Sequence, residues 1–122
     1  GVDKLGRAIR RNCLQAQWLG DAIARDPSLE LLAPVALNIV CFRRCADTLS
    51  LDEVNELNRA IVLELQCRSI AAPSSTNLNG VHAIRVCICN HRTRRDDLQV
   101  LLDAVSHIGD ELLAAGAPED LA

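Results

Sequence analysis

Hydrophobic residues recur at helical spacing in two stretches, residues 3–24 and 51–68. Asp3 is predicted to cap the first helix. Ser50 and Glu53 have the spacing of a capping box at the start of the second helix. The stripe on the first helix is not needed for a core of the other elements, so we expect it to contact another part of the protein. Its residues are Leu5, Ile9, Ala16, Leu19 and Ile23.

A third helix is predicted near the end of the chain, with Thr93 as its cap. Gly116 and Pro118 are expected to end it. Its core stripe consists of Leu98, Leu101, Leu102, Val105, Ile108 and Leu112.

Strand patterns lie between the helices. Residues 34–42 (PVALNIVCF) are almost continuously apolar, which is typical of a strand covered on both faces. Residues 69–78 predict an edge strand interrupted by Pro73, because proline donates no ladder hydrogen bond. Asn79-Gly80 is a strong hairpin signal, and a further strand follows it directly.

The strand after this turn, in LNGVHAIRVCIC, contains a charge among apolar residues. Alternation places His82, Ile84, Val86 and Ile88 on a core-facing side, and Ala83, Arg85, Cys87 and Cys89 on the other. The residues alone leave two interpretations open. Arg85 either extends into solvent or binds a negatively charged group.

The order α-β-α-β-β-α predicts an α+β open-faced sandwich. A small antiparallel or mixed sheet of three to four strands would have helices on one face, with the N-terminal helix added. A right-handed crossover through the helix of residues 51–68 would set the central strand pairing.

Composition fits one soluble domain of 122 residues with a formal net charge of −3, which suggests neither nucleic acid nor an anionic membrane as a partner. No membrane span or signal peptide is evident, so a cytoplasmic location is expected. The absence of methionine predicts a processed or excised piece, or a chain whose start has been replaced. The six cysteines lack a C-x-x-C spacing, so we expect reduced, buried or half-buried thiols and no metal site.

Four segments in this order resemble a known family: LLAPVALNIVCFR, ELNRAIVLELQ, IAAPSSTNLNGVHAIRVCICNHRTRRDDL and LLDAVSHIGDEL. They are similar to the C-terminal small domain of group II pyridoxal-phosphate-dependent amino-acid decarboxylases, which act on aromatic amino acids, histidine or glutamate. The resemblance runs from about residue 1 to residue 109. It implies the C-terminal domain of a fold-type I homodimer, in which residues 1–28 would pack on a large domain or partner and residues 29–122 form the small domain.

The resemblance also implies a division of roles. In the family the cofactor is held by a lysine of the large domain, and Lys4 does not match that lysine's motif. This piece alone is therefore expected to bind no pyridoxal phosphate and to be inactive, whereas the longer protein would be a decarboxylase. Arg85 matches the arginine that faces the active-site cleft and pairs with a carboxylate of the amino-acid substrate. Its planar fork of donors suits that role.

Other polar residues are assigned lesser roles. His91 and Arg92 are candidates for contact with the partner subunit or the large domain. His82 and His107 are interpreted as ordinary side chains. Arg44 stands where the family commonly has an aromatic residue, and a surface contact is one interpretation of it. The cluster Ser74, Ser75 and Thr76 is attributed to turn chemistry, because no base lies nearby in the sequence.

A second function of a different class stays open at this point. An open-faced α+β sandwich is also a common scaffold for small ligand-binding or self-association modules without catalysis. A large domain encoded upstream would favour the decarboxylase, and a start codon near residue 1 would favour the module.

Overall fold

The structure, a computed structural model, describes residues 1–68, 73–89 and 92–121, with the backbone alone from residue 117. Three helices and four strands alternate along it. In chain order they are α1 (Val2–Arg25), β1 (Leu29–Leu31), β2 (Ile39–Arg44), α2 (Leu51–Cys67), β3 (Ser74–Leu78), β4 (Val81–Cys87) and α3 (Arg95–Leu121).

The strands form one sheet in the order β1-β2-β4-β3, and each neighbouring pair is antiparallel. β2 and β3 therefore run parallel, with β4 inserted between them, so α2 connects two strands that are not neighbours. β2 pairs with β4 and not with the strand that α2 leads into. The predicted α+β open-faced sandwich is confirmed.

The helices share one hydrophobic core with one face of the sheet. Val40 and Phe42 of β2 and Ile84 and Val86 of β4 supply the sheet side. The helix side is completed by Ala16, Leu19, Ile23, Leu57, Ile61, Val62, Leu65, Leu98, Leu101, Leu102, Val105 and Ile108. The core stripe predicted for the third helix and the helical spacing predicted over residues 51–68 are thus confirmed.

α1 belongs to this core only in its C-terminal half. Ala16, Leu19 and Ile23 are fully buried, whereas Leu5 and Ile9 on the same stripe are 62% and 54% exposed. The stripe is continuous in sequence, but the helix extends beyond the elements that cover it. Contact of its N-terminal half with a large domain or a partner stays a prediction.

The strand predicted at residues 34–42 begins later and is covered on one face only. β2 starts at Ile39, because Ala36 and Ile39 bridge each other around a tight turn in which Leu37 has φ 54°. Val40 and Phe42 are buried, whereas Cys41 and Arg43 on the opposite face are half-buried. β1, a three-residue strand that pairs with the end of β2, was not predicted.

The helix termini follow the predictions in part. Ser50 Oγ accepts the Glu53 N–H at 3.2 Å and Glu53 Oε1 accepts the Ser50 N–H at 3.0 Å, so the capping box is confirmed. The Asp3 cap is wrong, because α1 already begins at Val2 and Asp3 lies in its first turn.

The predicted boundaries of the third helix are also wrong. α3 begins at Arg95, and the carboxylate of Asp97 accepts the backbone N–H of Arg94 at 2.9 Å, which takes the place of a Thr93 cap. The backbone stays helical through Gly116 and Pro118 to Leu121.

The hairpin signal is confirmed in detail. Asn79 has φ 54° and Gly80 has φ 85°, the two positive values that a type I′ turn requires. The side chain of Asn77 accepts the Gly80 N–H at 2.9 Å. β3 lies at the edge of the sheet, as predicted, and begins directly after Pro73. The part of the predicted strand before the proline, residues 69–72, lies outside the described residues.

Arg44 is a buried structural residue and not a surface contact. Its side chain lies under α3, where a guanidinium nitrogen contacts Asp110 Oδ1 at 2.6 Å and another donates to the Cys45 carbonyl at 2.6 Å. A Cβ at Gly109 would lie 2.9 Å from Arg44 Nε, so the absence of a side chain there makes room for the arginine.

Candidate functional site

The open face of the sheet carries the candidate site. The register pairs Arg85 of β4 with Cys41 of β2 on one side and Ser74 of β3 on the other. Because paired residues of antiparallel strands point to the same face, these three side chains form a row across the sheet. Ala83 and Cys87 precede and follow Arg85 on the same face. An arginine therefore stands at the centre of the sheet, surrounded by small side chains.

The guanidinium of Arg85 has no hydrogen bond or ion pair with any residue in the described ranges, although the side chain is half-buried. Arg43 on the same face differs in this respect, since its Nε donates to Glu30 Oε1 at 2.8 Å. The carboxylate of Glu30 is therefore engaged by another arginine. Arg85 keeps its donors available for an external anion.

The thiol opposite Arg85 is electrically neutral at ordinary pH. Burial raises the pKa of Cys41, and the positive charge of Arg85 lowers it by less. A neutral Cys41 leaves the charge of Arg85 uncompensated. This arrangement can bind a carboxylate through two parallel N–H donors.

Two kinds of comparison support a relationship with known enzymes. The aromatic-L-amino-acid decarboxylase of Drosophila lebanonensis is 31% identical over 111 residues, which are 91% of this chain and 26% of that protein. The glutamate decarboxylase domain of a diaminobutyrate-pyruvate transaminase and L-2,4-diaminobutyrate decarboxylase from Vibrio parahaemolyticus has a TM-score of 0.80 at 30% identity, covering 88% of this chain and 22% of that one.

The chain belongs to the group II pyridoxal-phosphate-dependent amino-acid decarboxylases. It matches their C-terminal domain in fold. The structure of Oryza sativa TDC with pyridoxal phosphate and tryptamine has a TM-score of 0.83, covering 92% of this chain and 24% of that one, and at 22% identity it shows the fold alone. No family model matches the sequence. The chain spans about a quarter of the length of the decarboxylases it matches.

Ser75 and His82 make a contact that the sequence analysis missed. His82 Nε2 lies 2.9 Å from Ser75 Oγ, so a base is near the serine cluster in space. The hairpin register could have shown this, because it pairs Asn77 with His82 and leaves Ser75 diagonal to the histidine. Burial and the charge of Arg59 lower the pKa of His82.

The remaining candidates have contacts of their own where the structure describes them. His107 is on the surface of α3, where its Nε2 lies 2.9 Å from Glu111 Oε1. The carbonyl of Thr93 accepts hydrogen bonds from Arg11 and Gln15 of α1, at 3.0 Å and 2.6 Å. Arg92 has an interaction within the chain. His91 lies outside the described residues.

The cysteines follow the prediction only in part. All six thiols are free. Cys13, Cys41 and Cys45 are half-buried as predicted, but Cys67, Cys87 and Cys89 are exposed. Within the described ranges no cluster of histidine, cysteine or acidic residues could hold a metal ion, and no helix is long and apolar enough to cross a bilayer.

Proposed function

We propose that this chain is the C-terminal part of a pyridoxal-phosphate-dependent L-amino-acid decarboxylase, and that its open sheet face is one wall of the substrate cleft. Arg85 is the residue that binds the substrate carboxylate. The observation that carries this assignment is the position of Arg85 at the centre of the open face, where its guanidinium has no partner among the described residues. The relatives named above support the reaction class.

Arg85 contributes binding and orientation. Its fork of two donors would hold the carboxylate in one plane and limit rotation of the scissile bond. The ion pair between Arg85 and the substrate carboxylate breaks as carbon dioxide leaves. It therefore stabilises the bound substrate at least as much as the transition state. Its loss should therefore appear mainly in KM.

The cofactor is expected to be held elsewhere in the longer protein, where it would accept the electron pair left by carbon dioxide. Lys4, the only lysine of this chain, is exposed in the first turn of α1. The chain alone is thus expected to be inactive.

The partners follow from the same assignment. The exposed apolar half of α1 would pack on the large domain or on the second subunit of a homodimer. The free thiols are in the state typical of a reducing compartment, which supports a cytoplasmic location.

The test uses the longer protein that contains this chain, supplied with pyridoxal phosphate and an aromatic L-amino acid. Arg85→Gln is expected to raise KM about 10- to 100-fold, the range for a lost hydrogen bond to a charged group. The KM of Arg85→Lys should lie between those of the parent protein and Arg85→Gln, since lysine keeps the charge but lacks the planar fork of donors. Binding of the amine product, which has no carboxylate, should change little.

Arg43→Gln is the matched control, because it removes an arginine of the same sheet face that is already paired with Glu30. Equal effects of the two glutamine variants would overturn the assignment of Arg85. For the chain alone, incubation with pyridoxal phosphate and borohydride should give no stoichiometric adduct. Decarboxylation by the chain alone, or a stoichiometric adduct on Lys4, would contradict the proposed division of roles.

A further inference from the structure

Cys87 and Arg85 together form a second feature of the open face. We propose that they are a site for reversible S-thiolation by low-molecular-weight disulfides that carry carboxylates, with Cys87 as the modified residue and Arg85 as the anion-binding group. Neither the relatives nor the proposed decarboxylase function assigns a role to Cys87.

The geometry brings the two groups within reach of one small molecule. Cys87 is exposed at the end of β4 and lies two residues from Arg85 on the same face, about 7 Å along the strand. The amide of Asn38 donates to Cys87 Sγ at 3.6 Å and to the Ile88 carbonyl at 2.9 Å. The sulfur is therefore oriented by a side chain that is itself anchored to the backbone.

The positive charge of Arg85 favours a disulfide reagent that carries carboxylates. Arg85 has no carboxylate partner in the described residues, so an incoming anion does not have to displace one. A second thiol, Cys41, is paired with Arg85 in the register. Cys41 is half-buried and its raised pKa keeps it protonated, so of these two thiols Cys87 is the one expected to react.

The reaction is a thiol–disulfide exchange. The Cys87 thiolate attacks one sulfur of glutathione disulfide, the sulfur–sulfur bond of the reagent breaks, and a new bond joins Cys87 to one glutathione. The other glutathione leaves as a thiolate and takes up the proton that Cys87 lost. Cys87 is oxidised and one half of the disulfide is reduced.

The adduct would place glutathione carboxylates at the guanidinium of Arg85. As a consequence that rests on the proposed function, it would compete with the substrate carboxylate. Thiolation would then inhibit the longer protein, and a reducing thiol would restore it.

The test follows mixed-disulfide formation on the whole chain with glutathione disulfide, by peptide mapping and mass spectrometry. Cys67 at the end of α2 is the internal control. It is also exposed, but its neighbour Arg68 is engaged by Glu64 and Glu111 at 3.1 Å and 3.5 Å. Cys87 is expected to react about five-fold faster than Cys67, the factor for two opposite unit charges about 4 Å apart in water.

Three changes should remove this preference: Arg85→Gln, high salt, and replacement of the reagent by the uncharged hydroxyethyl disulfide. Arg85→Lys should keep most of it, since the charge is retained. Equal rates at Cys87 and Cys67, or a preference that survives Arg85→Gln in a folded variant, would overturn the proposal. These readouts involve no decarboxylation, so their failure is distinct from a failure of the proposed function.

Discussion

At the scale of single residues, Asn58 joins α2 to the end of β2. Its Oδ1 accepts the Arg44 N–H at 2.8 Å, and its Nδ2 donates to the carbonyls of Arg44 and Val54, both at 2.9 Å. The side chain is fully buried. The pairing of β2 with β4 ends at Phe42 and Ile84, so Asn58 supplies partners for the N–H and the carbonyl of Arg44 just beyond it.

Asn58→Ala is expected to lower the free energy of unfolding by about 3 kcal/mol, because two buried backbone groups of Arg44 lose their partner. Urea denaturation with unchanged slope measures this. Gln17→Ala, an exposed change in α1, should stay within about 0.5 kcal/mol of the parent chain. A loss below about 1 kcal/mol for Asn58→Ala would show that water replaces the amide.

His82 makes stability depend on pH. Its ring is half-buried beside Ser75, and its pKa lies below the usual 6.5 because of burial and the charge of Arg59, with Glu56 acting in the opposite direction. The unfolded chain therefore binds a proton at higher pH than the folded one. Stability should fall as the pH drops below about 6.5.

The comparison that checks this is denaturation of His82→Gln and Ser75→Ala across that range. His82→Gln should reduce the loss of stability at low pH, since it removes the titrating group. Ser75→Ala should keep most of the loss of stability at low pH, because burial and not the hydroxyl of Ser75 is the main cause of the lowered pKa of His82. If His82→Gln still lost stability steeply at low pH, another group would be responsible for the pH dependence.

At the scale of elements, the hairpin of β3 and β4 positions the strand that carries Arg85. Its turn needs a residue at position 80 with φ 85°, which a side chain tolerates poorly, whereas Gly6 in α1 has ordinary helical surroundings and nothing within 4 Å of an added Cβ. The two glycines should therefore respond in opposite directions to the same change.

Gly80→Ala is expected to lower the free energy of unfolding by about 1 kcal/mol. Gly6→Ala should raise it by about 0.5 to 1 kcal/mol, because alanine loses less conformational freedom in a helix. Thermal and urea unfolding both report this difference. If both substitutions changed the free energy of unfolding in the same direction, either the turn geometry at Gly80 or the helical conformation at Gly6 would be contradicted.

For the whole molecule, the exposed half of α1 forms an uncovered apolar surface, with Val2, Leu5, Ile9 and Leu14 all more than half exposed. Ile9 and Leu37 line a cleft together with Asn12, Cys13 and Asn38, and Leu37 is 76% exposed. An apolar stripe of this kind favours association when its natural cover is absent. The isolated chain is thus expected to form dimers or higher oligomers.

Ile9→Glu should weaken this association about 10-fold or more in sedimentation, because a charge would be buried at the contact. Leu63→Glu on α2 is the matched control, since Leu63 is 55% exposed and Ile9 is 54% exposed. The control should associate like the parent chain. A strictly monomeric parent chain, or equal effects of both changes, would contradict a contact through α1.

Much of the fold followed from local patterns. The capping box at Ser50, the turn at Asn79-Gly80 and the alternation around Arg85 are short-range features, and all three were predicted. The errors arose where distant contacts override local preference. β1 has three residues, too few for a pattern, and it forms because β2 offers a partner.

The sequence by itself determined the helices, the hairpin, the strand that contains Arg85 and the family, because these depend on spacing along the chain. Only the tertiary structure decided that Arg44 is buried against Asn58 and Asp110, that α1 is half covered, and that Arg85 has no ion-pair partner among the described residues while Arg43 has one. These outcomes depend on which side chains of different helices and strands come into contact. The spacing of residues along the chain does not specify those tertiary contacts.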